Sequence, residues 1–128
     1  MSPLETIARL LAKYGHSAQT LAIHSLAARE EMRVELERFW ADLAGPDLFG
    51  ATDSIASLAL GGEHAPPSPA LERDRADFRR ALWLVADDLS LRGVASPESE
   101  AWRAKLRAAN AHQAAPEQHG QKRQTRND

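Results

Sequence analysis

The chain has 128 residues and no cysteine, which suits one domain and excludes a disulfide framework, a thiolate metal site and a cysteine nucleophile. Its 16 basic and 18 acidic residues leave a formal net charge of -2, against the basic excess expected of a nucleic-acid binder. No run approaches the roughly 18 apolar residues needed to span a bilayer, and the start lacks the basic and apolar segments of a secretory signal, so a cytoplasmic location with no membrane or nucleic-acid partner is expected.

Ser2-Pro3-Leu4-Glu5 opens the first element. Ser2 caps, Pro3 sits where its missing N–H costs nothing, and Glu5 completes a capping box. Leu4, Ile7, Leu11 and Tyr14 recur at helical spacing up to Gly15, which predicts a helix over about 3–14. Ser17 is expected to cap a second helix over 17–44, with a break near 27–30. Its first stripe is Leu21, Ala22 and Leu26, with Ile23 to one side. Met32, Leu36, Phe39, Trp40 and Leu43 form a second, wider stripe. Gly45-Pro46 ends it.

Residues 45–70 form an irregular middle. Asp47 to Thr52 reads as a turn, and Asp53 or Ser54 as the cap of a short helix carrying Ile55, Leu58 and Leu60. Three prolines and two glycines make 61–69 a loop or hinge. Leu71 to Arg92 is the clearest helix, with Phe78, Leu82, Val85 and Leu89 on one face and Gly93 behind it. Ser96-Pro97 starts another, with Ala101, Trp102 and Leu106 apolar and Lys105 alongside. After Asn110 the pattern ends. Residues 111–128 hold no Leu, Ile, Val or aromatic side chain and are expected to be disordered. Alanine occurs 24 times and Arg far outnumbers Lys, a usage that matches a GC-rich bacterial genome.

Chemical motifs are sparse. The histidines at 16, 24, 64, 112 and 119 form no His-x-x-x-His or Glu-x-x-His pair, so no metal site and no cofactor is expected. Glu31 and Glu35 stand among Arg29, Arg33 and Arg38, which fits solvated ion pairs. Asp87 lies roughly 200° from Val85 around the helix and should face outward. Neither a nucleophile elbow nor a phosphate loop is present. Trp40, Trp83 and Trp102 all fall in predicted helices, and aromatics dominate cores. Trp83, off the main stripe beside Arg79 and Arg80, is the choice for an exposed anchor.

Leu48-Phe49-Gly50-Ala51-Thr52-Asp53-Ser54 through Leu60, followed by the Arg79–Trp102 region with Gly93 and Ser96-Pro97-Glu98, resembles a segment of small uncharacterised bacterial helical proteins. Some of these look like immunity-type proteins. Ala51 and Asp53 stand here where glycines would be expected. The resemblance implies a helical fold and a binding role.

These readings predict an all-α domain over 1–110, a compact bundle of four to six helices. The helices at 17–44 and 71–92 form its central antiparallel pair, and Leu36, Phe39, Trp40, Phe78, Leu82, Val85 and Leu89 meet in the core. The expected function is a non-enzymatic protein-binding module of immunity or accessory type, meeting a protein partner through Trp83, Arg79, Arg80 and Phe49. The alternative is a ligand or enzymatic site drawn from Asp53, Ser54, Asp87 and Asp88, with His24 as base. A third reading is self-association into a homo-oligomer through the amphipathic 29–44 stretch.

Overall fold

The computed structural model describes residues 2–123, with side chains described as far as residue 111. Six helices follow in order: α1 (Pro3–Lys13), α2 (Ser17–Met32), α3 (Leu36–Leu43), the single turn α4 (Pro46–Phe49), α5 (Pro69–Leu91) and α6 (Pro97–Arg123). Among the described residues there is no strand. The chain is therefore an all-α bundle, as the spacing of its apolar residues predicts. The expected disordered tail falls, from residue 112 onward, outside the residues whose side chains are described.

Helix α1 starts with the expected capping box: Ser2 Oγ accepts from the Glu5 N–H, and Glu5 Oε1 accepts from the Ser2 N–H at 2.9 Å. Leu4, Ile7, Ala8, Leu10 and Leu11 are all buried. A fully buried Leu or Ile stabilises by about 1.5–3 kcal/mol relative to an exposed one. This burial gives α1 the central place, packed on both α2 and α5, while α5 packs in turn on α6. The expected central pairing of the 17–44 and 71–92 helices is corrected accordingly: α2 packs on α1 and α3 rather than on α5. The apolar stripe of α1 is short but dense, and the two longer helices flank it.

In α2 the expected stripe is also rotated. Ile23 is fully buried, whereas Leu21 is 71% exposed. The break in 17–44 comes later than expected, at 33–35, where Arg33 and Glu35 adopt left-handed backbone with φ 56° and 51°. Met32 is exposed at that bend. The seven predicted core residues do meet: Phe39, Phe78, Leu82, Val85 and Leu89 are buried in one cluster, with Leu36 and Trp40 packed against it. No helix among the described residues is long and apolar enough to cross a membrane.

Three sets of polar contacts tie α1, α5 and the loop before α5 to one another. Asp74 Oδ2 accepts from Lys13 Nζ at 2.7 Å and from Tyr14 Oη at 2.6 Å. Arg75 donates from Nε and Nη2 to the Leu60 carbonyl and from Nη2 to the Gly62 carbonyl, at 2.8–2.9 Å. The His16 ring accepts the Gly61 N–H through Nε2 at 3.1 Å. These bonds hold the Gly/Pro-rich 61–68 loop in place without secondary structure.

Candidate functional site

The middle segment is built by doubling back on itself. Pro46 opens the one-turn helix α4, which turns Leu48 and Phe49 into the core. The chain then returns, so that the Ile55 N–H donates to the Asp47 carbonyl at 3.0 Å and the Ala56 N–H to the Leu48 carbonyl at 2.9 Å. The short helix expected from Asp53 or Ser54 does not form; residues 51–57 are bends and a turn. Serine side chains take over the backbone groups that a helix would have satisfied. The Ser54 N–H donates to Ser57 Oγ at 3.0 Å, the Ser57 N–H donates to Ser54 Oγ at 3.2 Å, and Ser54 Oγ–H donates to the Gly50 carbonyl at 2.7 Å. Ile55, Ala56 and Leu60 are buried beneath.

This pinned return leaves residues 51–53 standing out opposite Ala18, Gln19 and Ala22 of α2, across a groove of about 670 Å³. Asp47, Asp53 and Glu63 line it, with Thr52 and Ser57, and its described lining contains no Lys, Arg or His. Asp53 adopts φ 54°, a conformation that Asp tolerates better than most residues. None of the three carboxylates forms an ion pair among the described residues. Elsewhere Asp42, Asp74, Asp87 and Asp88 each face a cation within 3 Å. The groove is therefore a concentration of uncompensated negative charge.

The sequence-predicted residues fall in separate places. Asp53 and Ser54 share this groove, but Ser54 is buried and its hydroxyl is committed to Gly50 and Ser57. Asp87 and Asp88 line a second, smaller groove of about 360 Å³ between the start of α1 and the end of α5. Asp87 Oδ1 accepts from Arg103 Nε and Nη2 at 3.0 and 2.9 Å, and this bond holds the guanidinium above its ordinary pKa. Asp88 pairs with Arg92 at 2.8 Å. His24 is exposed on α2 and lines neither groove. The four ligand candidates and their base therefore do not converge on one site, and no acid–base pair is assembled from them.

Of the expected partner-binding residues, Arg80 is exposed, while Trp83 and Arg79 are half-buried. The indole N–H of Trp83 is buried with no hydrogen-bond partner among the described residues. Phe49 is fully buried, which corrects its assignment to a surface: α4 points it inward, and the Gly50 turn closes over it. Trp83 is not part of the lining of the acidic groove.

No family model, no curated protein and no solved structure matches this chain.

Asp47 and Glu63 escaped the sequence reading because one lay in an apparent turn and the other in the Gly/Pro-rich loop. Their signal was the absence of counter-charge. Residues 39–72 contain no Lys or Arg at all, although Asp42, Asp47, Asp53, Glu63 and Glu72 fall within them. Among the described residues no cluster of His, Asp or Glu is arranged to hold a metal ion.

Proposed function

We propose that this chain is a non-enzymatic protein-binding module whose acidic groove receives a Lys or Arg side chain of a protein partner. The observation that carries this reading is the pairing pattern. Asp47, Asp53 and Glu63 face a common groove without a cation, in a fold whose other aspartates are largely compensated. Like charges lining one groove make its potential negative, and an incoming guanidinium or ammonium offsets that charge while donating charge-assisted hydrogen bonds to the carboxylates. An immunity or accessory role accords with such a surface, since both consist of capturing another protein. The exposed Arg80 and half-buried Trp83 on α5 form a separate face in this reading.

The test compares the tagged chain with the variant Asp47→Asn/Asp53→Asn/Glu63→Gln in affinity capture from its native cells. A stoichiometric partner that the wild type retains, that salt weakens and that the variant loses is the expected result. A partner held equally by both proteins sinks the groove reading.

The groove's volume also falls within the range of small-molecule sites, which favours a cationic small ligand as the second reading. A thermal shift with spermidine, absent in the triple variant and unaccompanied by any captured protein, selects it.

A further inference from the structure

Residues 17–44 contain neither Gly nor Pro, so nothing in that stretch forbids one continuous helix. Joining α2 and α3 would give a rod about 40 Å long. The chain bends at 33–35 instead, and two non-glycine residues, Arg33 and Glu35, pay for it with left-handed backbone. Neither side chain favours that region, where Cβ crowds the following carbonyl, and both are good helix formers. Met32 and Val34 stand 70% and 54% exposed around the bend. The bend is thus strained, poorly covered and built from residues that prefer to be straight.

Packing is what holds it. Straightening carries the α1–α2 arm away from the rest of the molecule. The buried face of α1 then leaves α5, and α3 loses its packing against α2. A single copy has no means of recovering that burial. Two copies do, because the arm of each fits the place vacated by the other, and every contact outside the bend is restored.

We propose that this chain associates with a second copy of itself by exchanging the α1–α2 arm, with residues 33–35 as the hinge. The driving force is relief of two left-handed residues and gain of two helical ones, and the opposing cost is the entropy of association, so concentration selects the form. The proposal stands apart from the acidic groove as a binding site. It does predict that in the exchanged dimer one wall of that groove, Ala18, Gln19 and Ala22, comes from one copy and the 47–63 wall from the other.

The experiment uses the contact between Arg29 on α2 and Asp42 on α3, whose side chains meet at 2.8 Å across the hinge. Copies carrying Arg29→Cys are mixed with copies carrying Asp42→Cys, unfolded and refolded together at high concentration, and treated with a short bismaleimide. Both substitutions remove one exposed ion pair, and the chain has no cysteine of its own to interfere. The expected result is a covalent pair joining position 29 of one copy to position 42 of the other, alongside a dimer mass for the unaltered chain in light scattering. Glycine at both hinge positions, Arg33→Gly/Glu35→Gly, relieves the bend and weakens the straight helix. It should lower the dimer association constant by roughly tenfold or more. A chain that stays monomeric at high concentration overturns the proposal. So does a dimer that gives no cross-copy product, or one that the glycine variant leaves unchanged.

Discussion

Trp102 and Ser54 donate to one and the same acceptor, the carbonyl oxygen of Gly50, at 2.8 Å from the indole N–H and 2.7 Å from the hydroxyl. One comes from α6 and the other from the returning middle segment, so this oxygen fastens the wall of the acidic groove to the last helix. Ser96 adds a parallel tie, its hydroxyl donating to the Ala44 carbonyl at 2.6 Å. Replacing Trp102 with Phe keeps most of the ring and removes the N–H. Because Ser54 still satisfies the Gly50 oxygen, the cost should be only about 1 kcal/mol in urea unfolding. Gly50→Ala should cost more, about 1–3 kcal/mol, since its Cβ would sit 2.6 Å from the Pro46 carbonyl oxygen. Equal effects of the two changes would contradict this account of the junction.

The Lys13–Tyr14–Asp74 tether should make stability depend on pH at both extremes. Hydrogen bonds from Lys13 and then from Tyr14 hold the Asp74 carboxyl below its ordinary value. A lowered carboxyl stabilises the fold above the unfolded value of about 3.9, and that contribution disappears as pH falls through the lower folded value. Tyr14 is raised, first by its hydrogen bond to Asp74 and then by burial. Its contribution is complete below about pH 10 and disappears as pH climbs through the raised folded value. The stability gap between wild type and Asp74→Asn should therefore be flat near neutrality and shrink in both acid and strong alkali. Urea midpoints across pH would show this. A gap of constant size down to about pH 2 would show that the tether contributes through shape rather than charge.

Arg75 holds the 61–68 loop through two carbonyls. Arg75→Ala leaves the Leu60 and Gly62 oxygens to find water and should cost about 1.5–3 kcal/mol, the scale for hydrogen bonds to a charged group. Limited proteolysis should then cut within 61–68 before any helix. If the loop resists cleavage as well as in the wild type, the His16–Gly61 bond rather than Arg75 is what secures it.

Core and groove should separate by mutation. Phe49→Ala empties a fully buried site and should cost about 3–5 kcal/mol. The neutral groove variant, Asp47→Asn/Asp53→Asn/Glu63→Gln, should be as stable as wild type or more so, because it removes repulsion among exposed like charges. Thermal melts at low salt check both. Destabilisation by the groove variant would mean that these carboxylates hold the segment together.

The helices were legible because their ends carried chemistry: Ser2 with Glu5, Ser96 before Pro97, and Gly93 with φ 76° behind α5. The core residues of α3 and α5 were legible from their period. What escaped notice depended on tertiary balance. Leu21 and Ile23 are equally apolar, and only the position of α1 decides which is buried. The bend at 33–35 has no breaker residue to mark it, because packing imposes it against local preference. The turn at 51–57 looked helical since Ser54 is a good cap, yet its hydroxyl served Gly50 and Ser57 instead. The groove was hidden because a site made of absent counter-charges leaves no motif.

The central place of α1 has a consequence during synthesis. It leaves the ribosome well before its partner helix α5: Tyr14 and Asp74 are 60 residues apart. At about 5–20 residues per second, the nascent α1 waits roughly 3–12 s before α5 begins to emerge. Throughout that interval Leu4, Ile7, Leu10 and Leu11 have only α2 to cover them, so the newborn chain presents a greasy helix to any chaperone, or to a neighbouring nascent chain on the same message.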